Sequence, residues 1–189
     1  VGALPFLLPL LMQIGFGLTP FQSGLVTFAA AAGALIMKPV APSVLKRFGF
    51  RPVLIWNALI SAASIAACAA FAPGTPFVAI IAILLLGGSF RSLQFTCINT
   101  IAYAEVEPRR ISRATTLVSV GQQLSLAVGV AVGALVVELV VRLKGSGDIA
   151  ASDFAAGFLV VAAVSASSAA VFMRLPPDAG SQLTSPQRD

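Results

Sequence analysis

Five long apolar runs occupy most of the chain: Pro20–Met37, Pro52–Phe71, Pro76–Ala102, Ala114–Val137 and Phe154–Met173. Together they hold one charged side chain, Arg91, deep in the third run. The other charges fall between runs, at their ends or in the C-terminal stretch. An uncharged apolar run of about 18 residues or more is long enough to cross bilayer hydrocarbon as a helix. Membrane strands would instead alternate apolar and polar positions over about ten residues. These runs are uniformly apolar and longer than that, so they predict membrane helices. A sixth apolar stretch, Val1–Phe16, carries Pro5 and Pro9 and is preceded by no basic residue. It lacks the positive leading region of a signal peptide. It reads as part of a membrane helix whose beginning is missing, so the chain is expected to be a fragment.

Helix punctuation supports the same division. Thr19-Pro20-Phe21-Gln22 has the form of a capping box with proline at the first helical position. Thr75-Pro76 repeats the cap-and-proline signal, Pro52 is expected to open another helix, and Ser112 and Ser152 are candidate N-caps. Gly49 follows Lys46-Arg47-Phe48 as a C-terminal glycine follows basic residues. The expected spans are residues 1–16, 20–41, 52–71, 76–102, 113–141 and 153–173. They make an all-α membrane protein: a six-helix bundle over residues 1–174 with its first helix truncated. Residues 175–189 are polar and proline-rich and are expected to form a disordered cytoplasmic tail.

Charge sets the expected orientation. Alternate connections carry Lys38, Lys46, Arg47 and Arg51, then Arg109, Arg110 and Arg113, then Arg174 and Arg188. The opposite connections carry only Arg142 and Lys144. Nine basic residues against two assign the first set, and the C-terminus, to the cytoplasm. At the connections, Glu105 with Arg109 and Glu138 with Arg142 have the spacing of helical ion pairs.

Composition narrows the function classes. The chain is 58% hydrophobic and 10% charged, whereas a soluble domain carries about 25% charged residues. Too few charges are present to clothe a water-facing surface. The net charge of +5 does not indicate nucleic acid, because the basic residues sit at the ends of apolar runs rather than on one polar face. Cys68 and Cys97 lie inside apolar runs without metal-type spacing, and there is no histidine. No nucleophile–base pair or metal cluster is visible, so neither an enzyme nor a cofactor or metal requirement is expected.

Arg91 is the leading candidate for function, because ionisable groups at membrane depth are costly. It lies roughly 21 Å from one end of its helix and 16 Å from the other. Gln94 is about 60° to one side of it and Asn99 about 80° to the other. On the next helix Thr115, Ser119 and Gln122 share a face, with Gln123 adjacent, and Gln122 lies about 15 Å in from Ser112. Arg91, Gln94, Asn99, Gln122 and Gln123 are therefore candidate lining for a substrate cavity. The alternative is a brace, with Arg91 bonded to neighbouring carbonyls and the glutamines bridging helices. Gly121, Ser125, Gly129 and Gly133 recur every four residues, a spacing that lets membrane helices approach closely.

The loop Leu45-Lys46-Arg47-Phe48-Gly49-Phe50-Arg51-Pro52 resembles the cytoplasmic loop motif of the major facilitator superfamily, Gly-x-x-x-Asp-Arg-x-Gly-Arg-Arg. Arg47, Gly49 and Arg51 match it, while Pro42 replaces the first glycine and Lys46 the acid. Three longer runs resemble the fourteen-span drug:proton antiporters of that superfamily, the EmrB/QacA-like subfamily: residues 7–17, residues 91–100, and Gly121-Gln122-Gln123-Leu124-Ser125 with Gly129 and Gly133. The resemblance implies the C-terminal half of such a transporter in a bacterial inner membrane. It further implies two pseudo-symmetric bundles with substrate between them, and export of amphipathic drugs in exchange for protons. The partners it implies are the lipid bilayer, a small-molecule substrate, protons and the N-terminal half that is absent here. The family's proton-coupling acids lie mostly in that half. A metabolite or sugar transporter of the same superfamily, and a truncated, non-transporting membrane protein, remain as alternatives.

Overall fold

The computed structural model describes residues 2–104, 106–145 and 149–176. Its elements are α1 (Leu4–Leu10) continued by a π-helical turn (Leu11–Gly15), α2 (Pro20–Phe48), α3 (Phe50–Cys68), α4 (Phe77–Ala104), α5 (Ile111–Lys144) and α6 (Asp153–Phe172). A 3₁₀ turn, Pro108–Arg110, leads into α5. No strand occurs among the described residues. The five helices α2–α6 are each long and apolar enough to cross a membrane.

The helix ends follow local chemistry. Thr19 accepts from the Gln22 amide at 3.3 Å, and Gln22 Oε1 accepts from the Thr19 amide at 3.0 Å, so the capping box is complete. Gly49, with φ of 76°, ends α2 and begins α3 in a single residue. A side chain there would be strained, because only glycine adopts that region freely. Three boundaries differ from expectation. Thr75 accepts from the Ala72 amide, closing the preceding turn, and α4 begins at Phe77. Ser112 lies inside α5, whose N-cap is Arg110, and Ser152 stands at the N-cap of α6 without a capping bond. Pro52 lies two residues inside α3, within the first turn, where a missing N–H costs no hydrogen bond. α2 also continues past residue 41 through Pro39 and Pro42. The expected tail beyond residue 176, and Glu105 with its expected pairing, lie outside the described residues.

α2 packs along α4, and α3 packs against both α4 and α6. Two apolar clusters result. Leu7, Leu11, Met12, Ile80, Phe154 and Phe158 fill the Pro73–Gly74 end of the bundle. Ala41, Leu45, Phe50, Leu54, Leu93 and Cys97 fill the Gly49 end. Asn57, Ser61 and Ser89 are buried at intermediate positions along their helices.

The closest helix approach is between α2 and α4. A Cβ on Gly33 would collide with the Leu85 carbonyl, and one on Gly88 with the Ala30 carbonyl. Ser89 Oγ donates to the Gly33 carbonyl and Ser92 Oγ to the Ala34 carbonyl, both at 3.0 Å. Small residues thus let two backbones meet, and hydroxyls then bond across the seam. On α5, Gly129 and Gly133 lie against Gly2, Ala3 and Leu7, while Gly121 faces open space and Ser125 Oγ bonds back to the Gly121 carbonyl.

Gly88→Val should therefore destabilise the bundle by about 3 kcal/mol through overpacking, whereas Gly121→Val should stay within about 1 kcal/mol. Unfolding in detergent micelles followed by circular dichroism measures both, and equal losses would refute the assigned seam.

Candidate functional site

α4 carries polar groups on two separate faces. On the first, Asn57 of α3 is buried and donates from Nδ2 to Gln94 Oε1 at 2.9 Å and to the Phe90 carbonyl at 2.6 Å. One turn along α3, Ser61 is buried and its Oγ has no hydrogen-bond partner. Arg91 lies beside them and borders two spaces. A small one of about 30 Å³ touches Leu4, Leu8, Ser61, Ser64 and Cys68, which is room for one or two waters. A wider cleft of about 330 Å³ runs from Arg91 between α3, α4 and α6.

The second face of α4 meets α5. Gln122 Nε2 donates to Asn99 Oδ1 at 3.1 Å, and Asn99 Nδ2 donates to the Phe95 carbonyl at 2.8 Å. Gln122 and Gln123 are exposed, in a helix that is mostly unburied along its length. The five cavity candidates therefore do not form one cluster. Gln94 and Asn99 sit on opposite sides of Arg91, about 140° apart on the helix. That angle sends Arg91 and Gln94 toward α3 and leaves Asn99 to α5.

The loop residues make two further contacts. The Arg47 guanidinium sits 5.6 Å from the centre of the Phe48 ring, within cation–π range. Arg51 Nη2 donates to the Met173 carbonyl at 2.9 Å, at the C-terminal end of α6. A helix C-terminus presents unpaired carbonyls and partial negative charge, and a guanidinium satisfies both. The inter-run turn is thereby tied to the last helix. At the opposite end, Lys144 Nζ lies 2.6 Å from Asp153 Oδ1, and Asp153 Oδ2 accepts from the Ala150 amide at 2.8 Å, closing the connection between α5 and α6. Arg142 pairs with Glu138 at 2.6 Å, at the spacing read from sequence, and Arg110 pairs with Glu107 at 3.4 Å. Among the described residues no group of three or more His, Cys, Asp or Glu side chains could hold a metal ion.

Comparison with known proteins agrees with this architecture. The sequence model of the Major Facilitator Superfamily matches residues 1–189. The chain belongs to that superfamily. It is 32% identical over 182 residues to the "Putative multidrug resistance protein MdtD" of Klebsiella pneumoniae (strain 342), covering 95% of this chain and 38% of that protein. It is 31% identical over 188 residues to the protein of the same name from Yersinia pestis (strain Pestoides F), covering 95% of this chain and 39% of that one. The chain thus spans about two fifths of the length of these curated relatives. No solved structure matches it. As a superfamily member with five membrane-length helices, it is a multi-pass membrane protein.

Sequence reasoning missed Asn57 and Ser61, although a signal was present. Asn57, Ser61 and Ser64 follow an i, i+4, i+7 spacing along an otherwise apolar α3, which is one helical face. It also missed the Lys144–Asp153 closure, whose partners are separated by a loop.

Substituting Asn57→Leu and Gln94→Leu singly and together should reveal a coupling of about 0.6 kcal/mol, and no more than about 1.7, the range for interhelical bonds in membranes. Unfolding of the four proteins in micelles measures it. Additive losses would mean that the bond contributes nothing.

Proposed function

We propose that this chain is the second six-helix bundle of a proton-coupled exporter of amphipathic small molecules. It works in a cell membrane against a first bundle that supplies the coupling acids. The reading is carried by the open face shared by α4 and α5, where Gln122 and Asn99 meet within otherwise apolar surface. Two amides on such a face offer donors and acceptors to a passing solute, while the apolar remainder gives little shape selectivity. That combination suits a broad range of amphipathic cargo. The name of the relatives, which speaks of multidrug resistance, is in keeping with this reading.

Coupling to protons fits the distribution of acids. Among the described residues Glu107 and Asp153 lie at helix ends or connections, and Glu138, inside α5 six residues from its end, is paired with Arg142. A proton carrier must then come from elsewhere in a larger protein. The basic turn at Lys46, Arg47 and Arg51 faces the cytoplasm in this arrangement, as does the end of α6 that Arg51 holds.

In cells expressing a full-length transporter that contains this chain, ethidium should be extruded, and a protonophore should abolish that extrusion. Gln122→Leu should lower the efflux rate several-fold while leaving the amount of protein in the membrane unchanged. Efflux that persists after the proton gradient collapses would overturn the coupling. Wild-type efflux from the Gln122→Leu protein, for every dye tried, would remove the α4–α5 face as the pathway.

A further inference from the structure

Arg91 is an unbalanced charge. The three ion pairs of the described residues are Arg110–Glu107 and Lys144–Asp153 at helix ends or connections and Arg142–Glu138 within the last two turns of α5, none of them involving Arg91. Among the described residues the Arg91 guanidinium makes no hydrogen bond, whereas its neighbours bond one another: Asn57 to Gln94, Ser64 to the Ser61 carbonyl, Ser168 to the Ser165 carbonyl. A brace made of carbonyls would have filled its donors, and none has. The cost of holding a cation at this depth calls for an acceptor from outside the chain.

The wider cleft beside it has the form of a ligand site. Its 330 Å³ falls within the range of small-molecule pockets, about 300–1,000 Å³. The floor is α3, and the walls are α4 and α6. Around Arg91 the free polar groups lining the cleft include the Gln94 amide nitrogen, whose oxygen is already taken by Asn57, and the buried, unpartnered Ser61 hydroxyl; the Asn57 amide oxygen is also unpartnered but does not line this cleft. The rest of the lining is mostly apolar, with Phe95, Ile98 and Val164 exposed and Phe172 half-buried; Ser165 and Ser168 of α6 add two hydroxyls, of which Ser168 bonds to the Ser165 carbonyl. A cation would be repelled by Arg91. An inorganic anion would leave those apolar walls uncovered.

We propose that this cleft binds an amphiphilic carboxylate, with its acid group against Arg91, Gln94 and Ser61 and its apolar body against Phe95, Ile98, Val164 and Phe172. Guanidinium and carboxylate match as a two-pronged, charge-assisted pair, and the exclusion of water strengthens it. The site lies on the α3 side of α4, away from the Asn99–Gln122 face, and does not depend on the transport reading. A membrane-partitioned fatty acid and a soluble aromatic acid share the required chemistry.

The test is direct binding to this chain, reconstituted in nanodiscs of zwitterionic phosphatidylcholine. Dansyl-labelled undecanoate represents the fatty acid, naphthoate the soluble aromatic acid, and their methyl esters the uncharged controls. At least one acid should bind saturably, with its ester at least about tenfold weaker. Arg91→Gln should reduce the acid to the level of its ester, and Arg91→Lys should keep a preference for the acid. Ser168→Leu, which narrows the cleft and leaves the charge in place, should weaken the acid and keeps the test valid if Arg91→Gln fails to fold. Binding of the acyl acid alone identifies a lipid-derived occupant, and binding of naphthoate alone a soluble one. Equal binding of acid and ester, no saturable binding of either acid, or acid affinity unmoved by both Arg91→Gln and Ser168→Leu overturns the proposal. Efflux that survives such a result would leave the transport reading standing, and binding without efflux would leave this site standing.

Discussion

Hydrocarbon offers a polar group nothing to bond with, and every level of this structure answers to that constraint. Backbone amides and carbonyls must be satisfied within each segment, which leaves the helix as the form available to these apolar runs. Side chains face the same demand. Thr27, Thr96, Thr100, Thr115 and Ser125 bond to carbonyls of their own helix. Ser89, Ser92, Asn57 and Gln122 find partners on a neighbouring helix instead. The second group decides how the bundle is assembled, because each of those bonds requires two helices at one separation and one rotation.

Apolar packing alone would not specify that arrangement, since lipid tails are as apolar as leucine and membrane helices gain little by trading one for the other. Close backbone contact supplies the specificity. Gly33 and Gly88 remove the side chains that would hold α2 and α4 apart, and the hydroxyls of Ser89 and Ser92 then reach carbonyls across the seam. α4 is held from the other side by Asn57 of α3. With both flanks anchored, the rotation of α4 is set. Arg91 consequently borders α3, and Asn99 is left to meet Gln122.

The ends of the bundle obey different rules, because water and headgroups are available there. Charges return, and they bind the connections: Arg51 to the terminal carbonyl of α6, and Lys144 to Asp153 between α5 and α6. Arg51 also gives the basic turn a mechanical role. It links the α2–α3 turn to the last helix, so movement at one is felt at the other.

Although the single-residue turn at Gly49 replaced an expected loop over residues 42–51, the number of helices, the capping box at Thr19 and the glycine that ends α2 were legible in the sequence. These depend on run length and on contacts within four residues, which chain order contains. The position of Arg91 near the middle of its helix was legible for the same reason, since rise per residue is constant. Which small residues meet was not. The regular four-residue stripe on α5 drew attention, yet its Gly121 faces open space, while the seam uses Gly33 and Gly88 on two other helices. Nor was the partner of each polar residue, as Asn57 with Gln94 and Lys144 with Asp153 show. Periodicity fixes a residue's angle on its own helix, but the rotation of one helix against another is set by the sum of contacts along both. Only the assembled bundle could therefore separate Arg91 from Gln122.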